Sequence, residues 1–281
     1  MKKYVKILVL ALLSLLVVAF SATCFAAKKV VAVTGVENST SSSYGRKAAQ
    51  DFESQLVTVL VQSGRYDVVE RGQIDHVVRE LGLHSTGMIS GNTAIQFGQL
   101  TGADYTVVGN VIAADVESFN NYLYKGYKAK VKFNFKFIDN KTGMIKIAQI
   151  IEGSDTVSEY ENKNPDRNIM LSGAVNDASK KIVNLINDAN PITGVIAGFD
   201  GTEAYIDLGS ENGVHAGERF IVFREGNVIT HPVTGEIIAV KEEFVGVLKV
   251  KDVQPGYAVC DVVNSKGTIQ KGDKIKRGKA K

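Results

Sequence analysis

The chain has 281 residues and a formal charge of +3, from 33 basic and 30 acidic side chains. The three lysines that account for this excess, Lys2, Lys3 and Lys6, all lie within residues 1–26. The remainder of the chain is therefore close to neutral and lacks the long-range positive field that gathers nucleic acid or anionic membrane. This balance excludes nucleic acid as an expected partner.

The N-terminus has the three parts of a secretory signal peptide. Basic residues come first, an uncharged apolar run extends from Ile7 to Ala27, and small residues surround Ala26. We expect cleavage after Ala26 and export of the remaining chain, which is long enough for two domains. Two alternatives stay open, because the run is long enough to anchor the chain in a membrane and Cys24 is a candidate for lipidation.

The two cysteines of the chain are compatible with export and do not indicate a reactive site. If Cys24 leaves with the signal peptide, Cys260 has no cysteine in the same chain with which to form a disulfide. Cys260 lies in the segment YAVCDVV, in which apolar side chains alternate. We predict that it is a small buried hydrophobic residue and not a nucleophile.

Residues 29–190 are predicted to form an α+β sandwich. A first strand, KKVVAVTGV, is followed by a serine-rich loop that caps a helix. The strand YDVVE precedes a helix that ends at Gly82, and a third helix has Asn92 or Thr93 as its cap. Three strands and a helix ending near Ala189 complete the order β-α-β-α-α-β-β-β-α, with helices covering one sheet.

The charged stretch YDVVERGQIDHVVRELG raises the question of an acid–base or metal site. Its apolar residues recur at the spacing of one helix face: Ile74, Val77, Val78 and Leu81. The opposite arc carries charged residues at spacings that allow pairing along the helix: Asp75, His76, Arg79 and Glu80. The spacing favours a solvated helix face over a catalytic cluster. Glu70 and Arg71, at the corner between strand and helix, are not explained by helical periodicity.

The segment KAKVKFNFKFID alternates between polar and apolar side chains. One side of this predicted strand carries the lysine face, which consists of Lys128, Lys130, Lys132 and Lys136. The phenylalanines point to the other side of the strand, so they cannot stack on a ligand that the lysines bind. We predict a solvent-facing side of the sheet on which lysines discourage edge pairing, and we keep the lysine face as a candidate contact surface.

A domain boundary is predicted at NDANPITG, where helix signals stop. Residues 193–277 contain short β-branched segments separated by glycines, and HPVTGE reads as a turn. Short strands at close spacing with glycine turns indicate a small all-β, barrel-like domain. The basic segment KGDKIKRGKAK at the C-terminus is predicted to be a frayed tail.

Three segments resemble the CsgG family of the curli secretion apparatus: LVQSGRYDVVERGQIDHVVRELG, GADYTVVGNVI and NKTGMI. The similarity extends over about residues 29–190. It implies a cell-envelope protein with the fold type that also occurs in the N-terminal domain of TolB and in outer-membrane activators of penicillin-binding proteins. The resemblance makes Glu70 and Arg71 a family fold signature and implies that they form a structural ion pair at their corner.

The second domain has a resemblance of its own. AYIDLGSENGVHAGERFIVFREG, HPVTGEIIA and FVGVLKVKDV are similar to the C-terminal domain of the flagellar assembly protein FlgT, over about residues 193–277. FlgT also has a TolB-like domain before this module, which implies an envelope-assembly architecture. The implied location is the periplasm or the periplasmic face of the outer membrane, with peripheral association. The implied partners are envelope, flagellar or secretion assembly proteins, and a homo-oligomeric ring fits the same architecture.

The sequence favours a binding protein over an enzyme. The histidines show no paired metal-ligand spacing: His76, His84, His215 and His231. The chain also lacks a G-x-S-x-G elbow, a P-loop and a C-x-x-C motif, so we predict no catalysis, cofactor or metal. The favoured hypothesis is an exported envelope assembly or scaffold protein. The alternative is a subunit of a curli-type outer-membrane secretion channel, although AADVESFNNYLYKGYK and EGSDTVSEYENKNPDRN are too polar for membrane strands.

Overall fold

A computed structural model describes residues 28–34, 36–82, 91–120 and 125–278. The predicted signal peptide at residues 1–26, with Cys24, and His84 lie outside the described residues. The predicted fold class is confirmed, because an α+β domain is followed by a closed all-β barrel. The first domain also has the predicted order of elements, with one short additional strand near its N-terminus.

The elements of the first domain follow one another closely along the chain. They are β1 (Lys29–Val33), β2 (Glu37–Asn38), α1 (Ser43–Gln62), β3 (Tyr66–Val68), α2 (Arg71–Glu80), α3 (Gly91–Thr101), β4 (Tyr105–Asn120), β5 (Lys125–Asp139), β6 (Ile145–Ser158) and α4 (Arg167–Ala189). The strand order in the sheet is β3-β1-β4-β5-β6, and β2 also pairs with β4. β1 is parallel to β3 and β4, whereas β4, β5 and β6 form an antiparallel meander.

Helices pack on both sides of this sheet. Val31 and Val33 belong to the core under α1 and α4, whereas Ala32 between them belongs to a second core with α2 and α3. This division follows from the strand geometry, in which consecutive side chains point to opposite faces. The larger core includes Phe133 on β5, whose ring centroid lies 4.3 Å from that of Phe52 on α1.

Local sequence signals explain most helix ends. The side chain of Ser42 accepts a hydrogen bond of 3.0 Å from the amide of Gly45 and caps α1, as predicted from the serine-rich loop. Gly82 follows α2 with a φ of 66°, a conformation that glycine adopts without strain. The predicted cap at Asn92 or Thr93 is wrong, because both residues lie inside α3.

The second domain is a closed antiparallel barrel. Its strands are β7 (Thr193–Asp200), β8 (Glu203–Ile206), β9 (Arg219–Thr230), β10 (Ile237–Val253), β11 (Ala258–Ser265) and β12 (Lys274–Arg277), with a short 3-10 helix at Ser210–Asn212. The order around the barrel is β10-β11-β8-β7-β12-β9. β12 lies in the segment predicted to be a frayed tail, and this prediction is wrong for residues 274–277. Ile275 is fully buried there, because β12 closes the barrel between β7 and β9.

The two domains meet at the turn that follows α1. Arg65 in this turn donates a hydrogen bond to the carbonyl of Asn190 between α4 and β7. Gly213 in the second domain lies so close that a Cβ atom on it would be 2.6 Å from the Cγ atom of Arg65. The boundary predicted at NDANPITG thus lies beside a close contact between the domains.

Candidate functional site

Glu70 and Arg71 lie at the corner between β3 and α2, as the sequence predicted, but they have different surroundings. Glu70 is exposed at the N-cap of α2, and its side chain makes no capping hydrogen bond. Arg71 forms ion pairs with Glu53 of α1 and with Asp75, whose carboxylate oxygen is 2.9 Å from Nε. The implied pairing of Glu70 with Arg71 is therefore wrong, because Arg71 instead joins the start of α2 to α1.

The remaining charged residues of α2 occupy its outer side. The Nδ1 atom of His76 lies 3.8 Å from a carboxylate oxygen of Glu80, and both side chains are more than half exposed. Asp75 pairs with Arg71 and not with Arg79. On the inner side, Ile74 and Val77 are buried against the second core. The charges of this helix are thus arranged along a solvated face.

The lysine face lies on a central strand of the sheet. Lys130, Lys132 and Lys136 are exposed and Lys128 is half-buried, whereas the alternate residues of β5 are buried as predicted. The proposed edge role is wrong, because β5 pairs with β4 along one side and with β6 along the other.

Acidic side chains from the neighbouring strands accompany these lysines. Lys132 lies 3.4 Å from Glu152 of β6. Asp115 and Glu117 of β4 are the cross-strand partners of Lys130 and Lys128. Cross-strand pairs of opposite charge stabilise a sheet modestly. The lysine face is therefore part of a surface of mixed charge, and the described residues do not form a separate basic patch there.

His215, His231 and Cys260 take part in turns or in the core of the barrel domain. The Nδ1 atom of His231 accepts hydrogen bonds from the amides of Val233 and Thr234, and it thereby stabilises the turn between β9 and β10. His215 lies 3.3 Å from Glu218 at another turn. Cys260 is fully buried, and burial raises the pKa of its thiol to about 12. A thiol with this pKa stays protonated near neutral pH and is a poor nucleophile.

The barrel domain has an exposed apolar surface that was not predicted from the sequence, and we call it the arm (residues 224–244). The arm is the outer part of the hairpin of β9 and β10, beyond the ladder of the barrel. Every residue from 227 to 244 is exposed. Many of these side chains are large and apolar: Val228, Ile229, Val233, Ile237, Ile238, Val240 and Phe244. The signal in the sequence is the pair of adjacent apolar residues on each strand, since adjacent residues point to opposite faces.

The base of the arm is fixed to the barrel by ion pairs. The guanidinium of Arg224 donates hydrogen bonds of 2.7 and 2.8 Å to the two carboxylate oxygens of Asp273. Burial raises the pKa of this carboxyl, but the hydrogen bonds from Arg224 and from the amide of Gln270 outweigh burial, so the pKa is lowered. Glu225 of the arm also pairs with Lys274 of β12.

A shallow groove lies beside the arm on the barrel. Its volume is about 630 Å³. Lys266 connects it to the arm, because its amide donates to the carbonyl of Val245 and its ammonium lies 5.8 Å from the ring centroid of Phe244. The groove is lined by Phe199, Gly201, Thr202, Val262, Ser265, Lys266, Gly267, Thr268 and Ile269.

Two further features concern metals and membranes. Among the described residues, no group of three or more His, Cys, Asp and Glu side chains is placed to hold a metal ion. In the same part of the chain, no helix has both the length and the apolar character needed to cross a membrane.

The geometry defines a two-domain protein with a charged sheet surface on one domain and an exposed apolar arm on the other. The chain belongs to the CsgG family, described as curli production assembly/transport component CsgG, which it matches over residues 17–189. Residues 201–277 match the C-terminal domain of flagellar assembly protein T. Both predicted resemblances are thereby confirmed in their predicted order. Together they identify an envelope-associated accessory protein.

Solved structures that are similar to about half of the chain include three bacterial proteins. Lipoprotein GNA1162 from Neisseria meningitidis has 12% identity and a TM-score of 0.37, over 57% of this chain and 99% of its own. The hypothetical protein CT253 from Chlamydia trachomatis has 15% identity and a TM-score of 0.39, over 58% and 98%. LpoB from E. coli has 21% identity and a TM-score of 0.30, over 47% and 58%. Likenesses at these TM-scores carry no functional argument. Among curated protein sequences, none matches this chain.

Proposed function

We propose that this protein is a non-enzymatic, exported assembly or scaffold protein of the cell envelope that acts by binding other proteins. The observation that supports this function most strongly is the order of its two domains. A CsgG-family domain precedes a module of the type found in flagellar assembly protein T. The descriptions of both families refer to the assembly of a larger structure. We place its action in the periplasm or at the periplasmic face of the outer membrane, as an accessory to a flagellar ring or a related envelope assembly.

The absence of catalysis is part of this proposal, and the surroundings of the reactive side chains support it. The thiol of Cys260 is buried with a raised pKa, and the imidazole of His231 accepts two backbone hydrogen bonds within a turn. Arg71 is held by two ion pairs between helices. Each of these groups has a role in the fold that accounts for its position.

The alternative function, a subunit of a curli-type secretion channel, needs strands with a continuous apolar face toward lipid. The hairpin of β4 and β5 is the longest candidate in the first domain. One face of its outer half packs under α4, where Ala114, Ala129 and Val131 are buried. The other face carries charged residues on both strands: Asp115, Glu117, Lys128 and Lys130. Neither face has the character of a lipid-facing surface, so we favour the scaffold.

Two experiments in the native host test the location and partners. We expect the intact mass of the mature protein to correspond to a chain that begins at or near Ala27. A mass that retains residues 1–26 would indicate an anchor, and acyl chains on Cys24 would indicate a lipoprotein. Formaldehyde cross-linking in cells, followed by purification and mass spectrometry, should recover components of an envelope assembly. Recovery of cytoplasmic proteins alone would contradict the proposal.

Conductance separates the scaffold from the channel. Purified mature protein added to planar lipid bilayers should give no conductance, because neither face of the β4–β5 hairpin can face lipid. A known channel-forming protein added under the same conditions serves as the positive control. Stable, uniform single-channel steps from this protein would contradict the scaffold and support the channel.

A further inference from the structure

In the part of the chain that the structure describes, no strand pairs with either outer edge of the arm. The ladder between β9 and β12 ends at the pair Phe223–Lys274, and the ladder between β10 and β11 ends at the pair Gly246–Ser265. Beyond these pairs, β9 and β10 pair only with each other within the described residues. The arm is thus a two-stranded ribbon with free main-chain hydrogen-bonding groups along each side, and such edges readily accept another strand.

Both faces of the arm are apolar as well. Val228 pairs with Val240 and Ile229 pairs with Ala239, so these two consecutive pairs lie on opposite faces of the ribbon. Val228 and Ile229 are each 51% exposed, and Ile238 is 60% exposed. An isolated two-stranded ribbon is at best marginally stable in water, and apolar patches of this kind mark interaction sites.

The charges of the arm do not oppose its contact with a second arm. At its base, Arg224 is paired with Asp273, and Glu225 and Glu242 are paired with lysines of β12. The outer part carries charges of both signs, from Glu236, Lys241 and Glu243. A second arm therefore meets no field of one sign, and Lys241 of one copy can pair with an acidic side chain of the other.

The size of the surface also fits self-association. A specific interface involves about 20–30 residues on each side. Because alternate residues of a strand point to opposite faces, one face of the exposed stretch from 227 to 244 supplies about half of its residues, which is the size of a weak, dissociable interface. A symmetric dimer uses the same patch on both subunits, so the patch must be complementary to itself. An extended peptide that adds to a strand edge would leave both apolar faces in water, whereas a second arm packed face to face covers one of them.

We propose that the arm is a self-association surface, through which two copies of this chain pack arm against arm about a two-fold axis. The contact is made by one apolar face of each arm. This inference goes beyond the proposed function, which names neither the surface nor a second copy as partner.

The test measures the mass of the full exported protein in solution, by light scattering and by sedimentation over a range of concentrations. The wild-type protein should be a dimer that dissociates on dilution. Ile229→Lys combined with Ile238→Lys should raise the dissociation constant at least about 100-fold, because charged side chains replace apolar contacts in both arms. Ile150→Lys is the matched control, since Ile150 is 62% exposed on β6, and it should leave the dimer unchanged.

A second variant keeps the test independent of the added charge. Residues 229–239 are replaced by Asn-Gly, so that the existing pair Val228–Val240 flanks a two-residue turn. This shortened arm leaves the ladders of the barrel intact and should give a monomer with an unchanged circular dichroism spectrum. A wild-type protein that is monomeric at every concentration would overturn the proposal, as would a dimer that both variants retain. Binding of a monomer to phosphatidylglycerol vesicles through the arm would also overturn it, in favour of a lipid surface.

Discussion

Two long hairpins of this protein show how differently the same secondary structure can be used. The hairpin of β4 and β5 has one face under α4 and another face covered with charged side chains. The arm, at the end of the hairpin of β9 and β10, is exposed on both faces and apolar on both. In the first hairpin β6 pairs along the outer side of β5, whereas no strand among the described residues pairs with either side of the arm.

The difference in exposure between the two hairpins indicates which of them is the better candidate for a binding surface. The first hairpin buries its apolar side chains within its own domain, so its alternation serves folding. The arm leaves apolar side chains in water, so folding of its own domain does not explain them. The CsgG-family domain thus covers the apolar face of its own hairpin, and the barrel domain presents the apolar surface for which we propose a partner.

Phe133→Ala is expected to have the largest effect and tests the covered hairpin. Phe133 is buried on β5 against Phe52, so its removal leaves a cavity and should lower the free energy of unfolding by about 3–5 kcal/mol. Ile238→Ala on the arm is the control and should change this free energy by less than about 0.5 kcal/mol in dilute protein. Urea denaturation followed by circular dichroism measures both. Equal losses would contradict the contrast between the hairpins.

Ile74→Ala tests the packing of α2 on the face of the first sheet that is opposite to α1 and α4. Ile74 is buried on the inner side of α2, and its truncation should lower the free energy of unfolding by about 2–5 kcal/mol. His76→Ala on the solvated side of the same helix should change it by no more than about 0.5 kcal/mol. If thermal or urea denaturation showed equal tolerance at the two positions, the assignment of the buried face would be wrong.

Asp273→Asn tests the ion pair with Arg224 at the base of the arm and leaves the apolar side chains of the arm unchanged. At neutral pH the variant should lose about 1.5–3 kcal/mol of stability, because charge-assisted hydrogen bonds from Arg224 are weakened. The folded-state pKa of Asp273 is lowered, so its stabilising contribution is complete above the ordinary pKa of about 3.9 and is lost as pH falls through the lower value. Urea denaturation should therefore show a constant difference at pH 5–8 that shrinks below about pH 4. A difference that grows in acid would contradict this account.

Gly153→Ala tests how closely α4 covers the first sheet, with a smaller expected effect. A Cβ atom on Gly153 would lie 2.0 Å from the carbonyl oxygen of Ala174, so α4 must shift to admit it. We expect a loss of about 1–3 kcal/mol in thermal or urea denaturation. Gly198→Ala on β7 is the matched control, because no atom lies within 4 Å of its added Cβ. A tolerated Gly153→Ala would show that the helix does not press on the sheet as described.

Local patterns predicted the elements well but not their neighbours. The alternation on β5 predicted which side chains are buried, yet it could not show that β5 is a central strand, because pairing partners come from distant parts of the chain. Arg71 illustrates the same limit, since its partner Glu53 lies on the preceding helix. β12 was predicted to be part of a tail because its segment is basic, and the burial of its apolar residue Ile275 depends on closure of the barrel.

The arm was missed for a related reason. Adjacent apolar residues, such as Ile237 and Ile238, are typical of strands that are buried on both faces. The sequence therefore indicated a turn at HPVTGE between apolar strands and gave no reason to expect exposure. Only the closed barrel shows that its ladders end before these residues. The apolar character of the arm was readable from the sequence, whereas its exposure is a property of the tertiary structure.

Photo-cross-linking in living cells of the native host tests the contrast most directly. A benzophenone amino acid is introduced at Ile238 on the arm or at Lys130 on the first hairpin, and adducts are identified by mass spectrometry. We predict a protein adduct from position 238, with twice the chain mass if the partner is a second copy, and no lipid adduct from position 130. A lipid adduct at 130 together with no protein adduct at 238 would contradict the account.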